Sequence, residues 1–195
     1  MSLPQIEPNK KYTVEDITHW EGRWELIEGA PYLTASPSRL HQTISRRLLT
    51  ALENYLTGKD CEVFAAPFDV YLSSSKEEEV EQAKNAVQPD LFVVCDPSKI
   101  LDRGVNGPPE WIAEIISPST AKIDRLKKYN LYEKYGVREF WLISPYEQTI
   151  EIFVLSENGR YVRKGVYSSD DQLTIGSFQD FTLEAVELFR GFPMD

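Results

Sequence analysis

Residues 111–120, Trp-Ile-Ala-Glu-Ile-Ile-Ser-Pro-Ser-Thr, carry a short apolar run directly into a helix-start signal. One carboxylate, Glu114, interrupts the run, which is otherwise typical of a strand buried on both faces of a sheet. Residues 118–120 combine a proline with two hydroxyl side chains, as the first turn of a helix often does. We predict that this helix continues to Tyr135 and ends at Gly136.

On both sides of this segment, alternating and continuous apolar runs predict further strands and helices. After a polar lead-in over 1–16, the predicted elements are a hairpin over 24–33, a helix over 41–56, strands over 62–72, 91–95 and 140–143, a hairpin of 149–155 with 161–167, and a terminal helix over 181–189. The polar, Glu-rich stretch 73–86 is predicted to be a mobile loop. We therefore expect an α/β fold, a mixed central β-sheet flanked by helices, in a single domain over residues 1–195.

The composition is that of an ordinary globular protein, with 195 residues of which 42% are hydrophobic and 27% charged. No apolar run reaches the roughly 18–20 residues that cross a bilayer, and the N-terminal residues lack the pattern of a signal peptide. Cys61 and Cys95 lie in apolar, strand-like runs, and we interpret them as two buried thiols rather than as a disulfide or a zinc site. These features favour a reducing cytoplasm.

The net charge of −10 argues against a protein that binds nucleic acid through a globally basic surface. Basic side chains do outnumber acidic ones over residues 120–138, and Arg39, Arg46 and Arg47 form a second positive cluster. An ordinary solvated face also explains each of these runs. Because a hydrolase of nucleic acid needs positive potential only near its site, the charge leaves that function open.

Two carboxylates stand out by their surroundings. Asp90 immediately precedes the predicted strand that starts at Leu91, and Glu114 lies inside an apolar run. A buried charge is costly unless a salt bridge, protonation or a metal ion compensates it. Adjacent strands would place both carboxylates at one end of the sheet, where their oxygens can share a divalent cation. The alternative is that Asp90 caps a turn and that Glu114 pairs with a basic side chain.

The helix that follows Glu114 adds Asp124, Lys128 and Tyr132, which are spaced i, i+4 and i+8 and therefore lie in one row. Interpreted as a surface feature, Asp124 and Lys128 form an ion pair worth roughly 0.2–0.5 kcal/mol. Interpreted as part of a site, Lys128 points back at the carboxylate end of the sheet. There an ammonium could orient or help to deprotonate an attacking water and stabilise negative charge on a phosphate.

Four short motifs, taken in order, resemble those of the Uma2 family, formerly a domain of unknown function common in cyanobacteria, within the PD-(D/E)XK nuclease superfamily. They are Val87-Gln88-Pro89-Asp90, the segment from Ala113 to Thr120, Asp124 with Lys128 and Tyr132, and the segment from Gly136 to Trp141. The stretches Glu25 to Gly29 and His41-Gln42 also fit the family pattern. The resemblance covers roughly residues 20–190.

The resemblance implies a restriction-endonuclease-like core in which Asp90 and Glu114 bind magnesium or manganese, with the backbone carbonyl of Ile115 as a further ligand. Where the superfamily has a lysine two residues after the second acid, this chain has Ile116. In the resembling family that lysine has moved to the following helix, which here points to Lys128. The implied catalytic set is therefore Asp90, Glu114 and Lys128.

Four further residues are candidates for an accessory role: Glu25, His41, Asp124 and Tyr132. Glu25 is either an additional upstream carboxylate of the site or an ordinary strand residue at the surface. His41 either sits near the site or caps its helix, and we favour the cap. Lys127 is not a candidate for the catalytic lysine, because it lies about 100° around the helix from Lys128 and therefore outside the row.

The function that the resemblance implies is metal-assisted hydrolysis of phosphodiester bonds in nucleic acid, with DNA as the expected partner and a homodimer as the expected assembly. One alternative is a catalytically silent nucleic-acid-binding module on the same fold, which the replacement of the usual lysine by Ile116 and the acidic net charge favour. Another is a dimeric structural or interaction protein whose interface uses aromatic residues such as Trp111, Phe140, Trp141 and Phe153. The sequence contains no Gly-rich phosphate loop, nucleophile elbow or Cys/His zinc cluster.

Overall fold

In the computed structural model, which describes residues 4–73 and 79–192, the strands form two six-stranded sheets and one two-stranded sheet. The strands are β1 (Trp24–Ile27), β2 (Ala30–Leu33), β3 (Glu62–Ala65), β4 (Asp69–Tyr71), β5 (Ala86–Val87), β6 (Leu91–Val94), β7 (Ile100–Leu101), β8 (Gly104–Asn106), β9 (Trp111–Ile115), β10 (Glu139–Ser144), β11 (Thr149–Leu155), β12 (Tyr161–Tyr167), β13 (Gln172–Ile175) and β14 (Phe178–Glu184). The helices are α1 (Val14–Ile17), α2 (Arg39–Leu56), α3 (Tyr129–Tyr135) and α4 (Ala185–Phe189), with 3-10 turns at Val80–Gln82 and Pro97–Lys99 and a π turn at Ile123–Lys128. Within these described residues, none of the helices has the length and apolar character needed to span a membrane.

The central sheet has the strand order β12-β11-β10-β9-β6-β3, in which β9 and β10 are parallel and the other neighbours antiparallel. Both of its faces are covered, so alternate residues of β9 enter different cores. Trp111, Ala113 and Ile115 pack in the core that contains α2 and α4, whereas Ile112 packs in the core that contains α3. Glu114 shares the parity of Ile112 and therefore points to the α3 side. The predicted mixed sheet flanked by helices is confirmed.

A side sheet, of order β2-β1-β5-β4-β8-β7, packs next to the central one and corrects two predictions. The single strand predicted over 62–72 is divided, because Pro67 lies between β3 and β4 and proline cannot donate to a ladder. The loop predicted over 73–86 is partly ordered, since a 3-10 turn and the start of β5 lie within it. Residues 74–78 of that prediction lie outside the described residues.

Helix α2 covers one face of the central sheet with a narrow apolar stripe. Its buried positions recur every four residues from Ile44 to Leu56, as in an amphipathic helix. The side chain of Ser38 accepts a hydrogen bond of 3.2 Å from the backbone N–H of His41 and so caps the helix. This cap fixes where the first turn of α2, and with it His41, stands relative to the sheet.

The helix predicted after Thr120 is confirmed, but its first part is a π turn rather than regular α-helix. The backbone N–H of Tyr129 donates to the carbonyl of Asp124, five residues back. The helix ends at Gly136, whose φ of +83° is the left-handed conformation that glycine adopts readily.

The terminal helix predicted over 181–189 is wrong in its first half. Strand β14 extends to Glu184 and pairs with β13, so that only Ala185–Phe189 is helical. Leu173 of β13 and Phe181 of β14 are both buried in the core with α2. Pairing with β13 therefore overrides the helical pattern of the segment.

Cys61 and Cys95 form a disulfide with an S–S distance of 2.04 Å, so the prediction of two separate thiols is wrong. The residues next to them, Glu62 and Val94, are paired across β3 and β6. The two cysteines consequently face each other where that ladder ends. Their spacing in the sequence does not reveal this register.

Candidate active site

A cavity of about 350 Å³ opens between the two sheets and the first turns of α2 and of the helix after β9. Its lining includes the predicted catalytic set and three of the predicted accessory residues: Asp90, Glu114, Lys128, Glu25, His41 and Asp124. The fourth accessory residue, Tyr132, is fully buried and contacts Glu114. The fold therefore brings together residues that stand up to 107 positions apart in the sequence, between Glu25 and Tyr132.

Glu114 is the centre of the cluster. Its side chain leaves β9 on the α3 side and is only 2% exposed. The Lys128 ammonium donates to its Oε1 at 3.0 Å, and the Tyr132 hydroxyl donates to the same oxygen at 2.6 Å. Lys128 and Tyr132 are four residues apart, so one face of the helix supplies both donors, as the sequence predicted.

Lys128 is buried among three carboxylates. Its Nζ lies 2.8 Å from Oε1 of Glu25, 3.0 Å from Oε1 of Glu114 and 3.9 Å from Oδ1 of Asp124. The neighbouring Lys127 is exposed, which agrees with the choice of Lys128 from its row. One ammonium cannot balance three carboxylates, so the buried site carries an excess of negative charge.

The pKa values of these groups follow from burial and from this excess. Burial raises the pKa of Glu114 well above its ordinary value; Lys128 opposes the shift, whereas Asp124, Asp90 and Glu25 reinforce it. Burial likewise raises the pKa of Asp124 to about 6. For Lys128, burial lowers the pKa, but the carboxylates of Glu114, Glu25 and Asp124 outweigh it and raise that pKa well above its ordinary value. Lys128 is therefore a fixed cation at neutral pH.

Asp90 precedes β6, and the register that pairs Leu91 with Ala113 sets it across from Glu114. Its Oδ2 accepts a 2.7 Å hydrogen bond from the backbone N–H of Ile115, and its Oδ1 lies 3.0 Å from Nε2 of His41. The favoured interpretation of His41 as a helix cap is wrong, because the side chain of Ser38 performs that role and the imidazole faces Asp90 instead.

Glu25 and Gln88 connect the side sheet to the cluster. Glu25 is buried on β1, and its Oε1 accepts both the backbone N–H of Gln88 at 2.7 Å and the Lys128 ammonium. The Gln88 amide donates to Asp69 at 2.8 Å. Sequence reasoning did not assign Gln88 to the site, although its position just before Pro89 and Asp90 was a usable signal. Glu25 is thus part of the cluster and not a surface residue.

The donor chemistry of the cavity fits a divalent cation of the magnesium type. Across residues 4–73 and 79–192, no three His, Cys, Asp or Glu side chains converge closely enough to hold a metal by themselves. Magnesium is usually held by one or two carboxylates together with waters and substrate phosphates, and the cavity presents Asp90 and Glu114 from neighbouring strands. Two polar atoms of lining residues, Oε1 of Gln88 and Nδ1 of His41, are buried and find no hydrogen-bond partner among the described residues.

Comparison with known proteins confirms the resemblance seen in the motifs. The profile of the Uma2 family, described as "Putative restriction endonuclease", matches residues 14–186. Uncharacterized protein slr1290 of Synechocystis sp. is 28% identical over 175 residues, which are 87% of this chain and 87% of that protein. A crystal structure from Anabaena variabilis, described as a "putative nuclease belonging to DUF820", has the same fold, with a TM-score of 0.71 and 18% identity over 91% of this chain and 97% of that one. Since the family profile spans most of the chain, the protein is a member of the Uma2 family.

Proposed function

We propose that this protein is a magnesium- or manganese-dependent nuclease that hydrolyses phosphodiester bonds of nucleic acid. The observation that carries the proposal is the convergence of Asp90, Glu114 and Lys128 on one cavity, with Lys128 3.0 Å from Glu114. The description of the family as a "Putative restriction endonuclease" supports the same reaction class.

Asp90 and Glu114, with the backbone carbonyl of Ile115, would hold the cation. When bound, such a cation lowers the pKa of a coordinated water and draws charge from a phosphate oxygen. The chain's own contribution is to fix the two carboxylates. The N–H of Ile115 and the imidazole of His41 orient Asp90, whereas Tyr132 and Lys128 orient Glu114.

Lys128 acts in this proposal as a fixed positive charge and not as a base. The carboxylates of Glu114, Glu25 and Asp124 outweigh its burial and hold its pKa above the ordinary value. An ammonium in this position stabilises negative charge that develops on the phosphate during the reaction. Of the two roles expected for Lys128 from the sequence, orienting the attacking water is compatible with this permanent charge, whereas accepting its proton is not.

The test is cleavage of a panel of supercoiled, linear, branched and single-stranded DNA and of RNA, each with magnesium or manganese. We expect at least one member to be cut, with no cutting in chelator or by Glu114→Gln. The matched control is Glu53→Gln, the same substitution at an exposed position of α2, which should keep full activity.

Absence of cleavage from the whole panel with both metals, in protein whose circular dichroism is that of a folded chain, would refute the proposal. If that protein still bound nucleic acid and manganese, and Glu114→Gln lost this binding, the function would be that of a catalytically silent nucleic-acid-binding module. The replacement of the superfamily lysine by Ile116 is the observation that favours this second candidate.

A further inference from the structure

The rim of the cavity carries exposed apolar and aromatic surface beside the carboxylates. Tyr146, in the turn between β10 and β11, is 58% exposed, and Leu33, at the end of β2, is 50% exposed; both line the cavity. Among the described residues, the Tyr146 ring forms no aromatic pair and its hydroxyl no hydrogen bond. An exposed aromatic ring at the mouth of a cavity can stack on a flat ligand such as a nucleic-acid base.

The same cavity has few basic side chains. Arg23, His41 and Lys128 are the basic residues in its described lining, against the carboxylates of Glu25, Asp90, Glu114 and Asp124. Lys128 is already surrounded by three of those carboxylates, and Arg23 donates to the carbonyl of Ala35 at 3.4 Å. Proteins that hold duplex DNA neutralise many phosphates with lysine and arginine, and this lining does not provide them.

Hydroxyl groups are the most frequent polar groups of the described lining. Two loops, before α2 and after β9, present Thr34, Ser36, Ser38, Ser117, Ser119 and Thr120 to the cavity. Serine and threonine hydroxyls hydrogen-bond phosphate and sugar oxygens without adding charge. Proteins that bind single strands combine a positively charged groove with aromatic rings on which the bases stack. Here Tyr146 supplies the ring, whereas the described lining supplies little positive charge.

We propose that the cavity takes unpaired nucleotides, so that the substrate class is single-stranded nucleic acid or the single-stranded part of a branched one, and that Tyr146 stacks on a base next to the reacting phosphate. This inference rests on the proposed nuclease function for the identity of the site. It makes Tyr146 a specificity-determining residue, and it predicts that unpaired bases rather than phosphate charge provide most of the affinity.

Binding can be measured without cleavage by fluorescence anisotropy of labelled oligonucleotides in calcium. Affinities for single-stranded DNA, single-stranded RNA and duplex DNA of the same length and sequence identify the preferred type of nucleic acid. If Arg23 and Lys128 neutralise no more than two phosphates, raising salt from about 50 to 200 mM weakens single-strand binding by no more than about 7-fold, whereas proteins with many phosphate contacts lose about 10³–10⁵-fold.

Two variants separate the ring from its hydroxyl. Tyr146→Ala should weaken single-strand binding by about 5- to 150-fold, the effect of losing one base–aromatic stack, and Tyr146→Phe should leave it unchanged. Because the position is exposed, neither substitution should unfold the protein. Val162→Ala, at a 59% exposed position on β12 outside the cavity lining, is the control and should bind as the wild type does.

Duplex binding as tight as single-strand binding would overturn the inference, as would equal affinity of Tyr146→Ala and wild type or the absence of any single-strand binding. Cleavage of duplexes that is lost in Glu114→Gln would overturn it while leaving the nuclease function standing. Conversely, Tyr146-dependent binding of single strands without cleavage would uphold the preference and refute the nuclease function.

Discussion

Replacing Lys128 by methionine tests the balance of charge in the site. Methionine keeps most of the length and volume of the side chain but removes the ammonium that faces Glu25, Glu114 and Asp124. Removal of one partner from a buried ion pair costs about 3–5 kcal/mol, since the other partner is left uncompensated. We expect this loss in the free energy of unfolding at pH 8.

The loss should depend on pH in a defined direction. In the variant, the buried carboxylates recover neutrality by binding a proton that the unfolded chain does not hold, so stability falls as pH rises. One such proton gives about 1.4 kcal/mol per pH unit, or about 4 kcal/mol between pH 5 and 8. In the wild type, Lys128 has a raised pKa, and its contribution is constant below its ordinary value of 10.5 and is lost only above the folded value. The wild type also loses stability over this range, because the carboxyl of Asp124, with its pKa of about 6, ionises. Removal of the ammonium raises the carboxyl pKa values further, so the penalty relative to wild type should be smaller at pH 5 than at pH 8.

The free energy of unfolding at pH 5 and at pH 8 can be measured by urea denaturation, followed by the fluorescence of the four tryptophans. Lys127→Met is the control, because Lys127 is exposed and its substitution should change stability by no more than about 0.5 kcal/mol at either pH. A penalty for Lys128→Met that is equal at pH 5 and pH 8, or no penalty at pH 8, would refute the charge argument.

Three further substitutions or treatments probe other contacts. Asp124→Asn should raise the free energy of unfolding by about 2–3 kcal/mol at pH 8 and leave it unchanged at pH 4, because burial raises the pKa of this carboxyl from 3.8 to about 6 and its ionisation costs stability above that range. Reducing the Cys61–Cys95 disulfide should lower that free energy by about 3–4 kcal/mol, the entropy of a closed loop of 34 residues, without changing the circular dichroism. Glu139→Gln should cost about 1–3 kcal/mol, because its carboxylate accepts from both Trp141 and the backbone of Gly176, and an amide can accept from only one of them.

For each of these three predictions, one outcome would contradict the reasoning. Lower stability of Asp124→Asn at pH 8 would show that its ion pair with Lys128 outweighs the cost of burial. Unfolding curves that coincide with and without reductant would show that the disulfide adds nothing to the β3–β6 ladder. An unchanged unfolding midpoint of Glu139→Gln would show that its two hydrogen bonds are replaced by water.

The parts of the site predicted from sequence are those that local rules determine. The apolar run around Glu114 indicates a buried strand. Because successive side chains of a strand point to opposite faces of the sheet, the carboxylate lies on the face opposite to that of Ala113 and Ile115. The spacing of Lys128 and Tyr132 places both on one side of a helix. Asp90 stands out by its place immediately before an apolar run, although the resemblance to the Uma2 family was needed to assign it to the site. Each of these inferences needs only a few neighbouring residues.

The parts that were wrong or missed depend on contacts between distant segments. His41 reaches Asp90, 49 positions away, because α2 packs across the central sheet. The His41-Gln42 pair fits the Uma2 pattern, but the residues around it do not indicate this contact. The Cys61–Cys95 bond depends on the β3–β6 register. Strand β14 forms because β13 pairs with it, against the helical pattern of its second half.

The π turn at Ile123–Lys128 has a consequence for how this site can change during evolution. Deleting one codon there, for instance that of Leu126, which is 56% exposed, would let the turn close as ordinary α-helix. The flanking segments would keep their mutual orientation, because a π turn holds one residue more than an α turn over about the same rotation. Asp124 would then stand three residues before Lys128 instead of four and would stay on the same face of the helix. A lineage can thus gain or lose one residue in this helix while Asp124 and Lys128 stay on the face that lines the site.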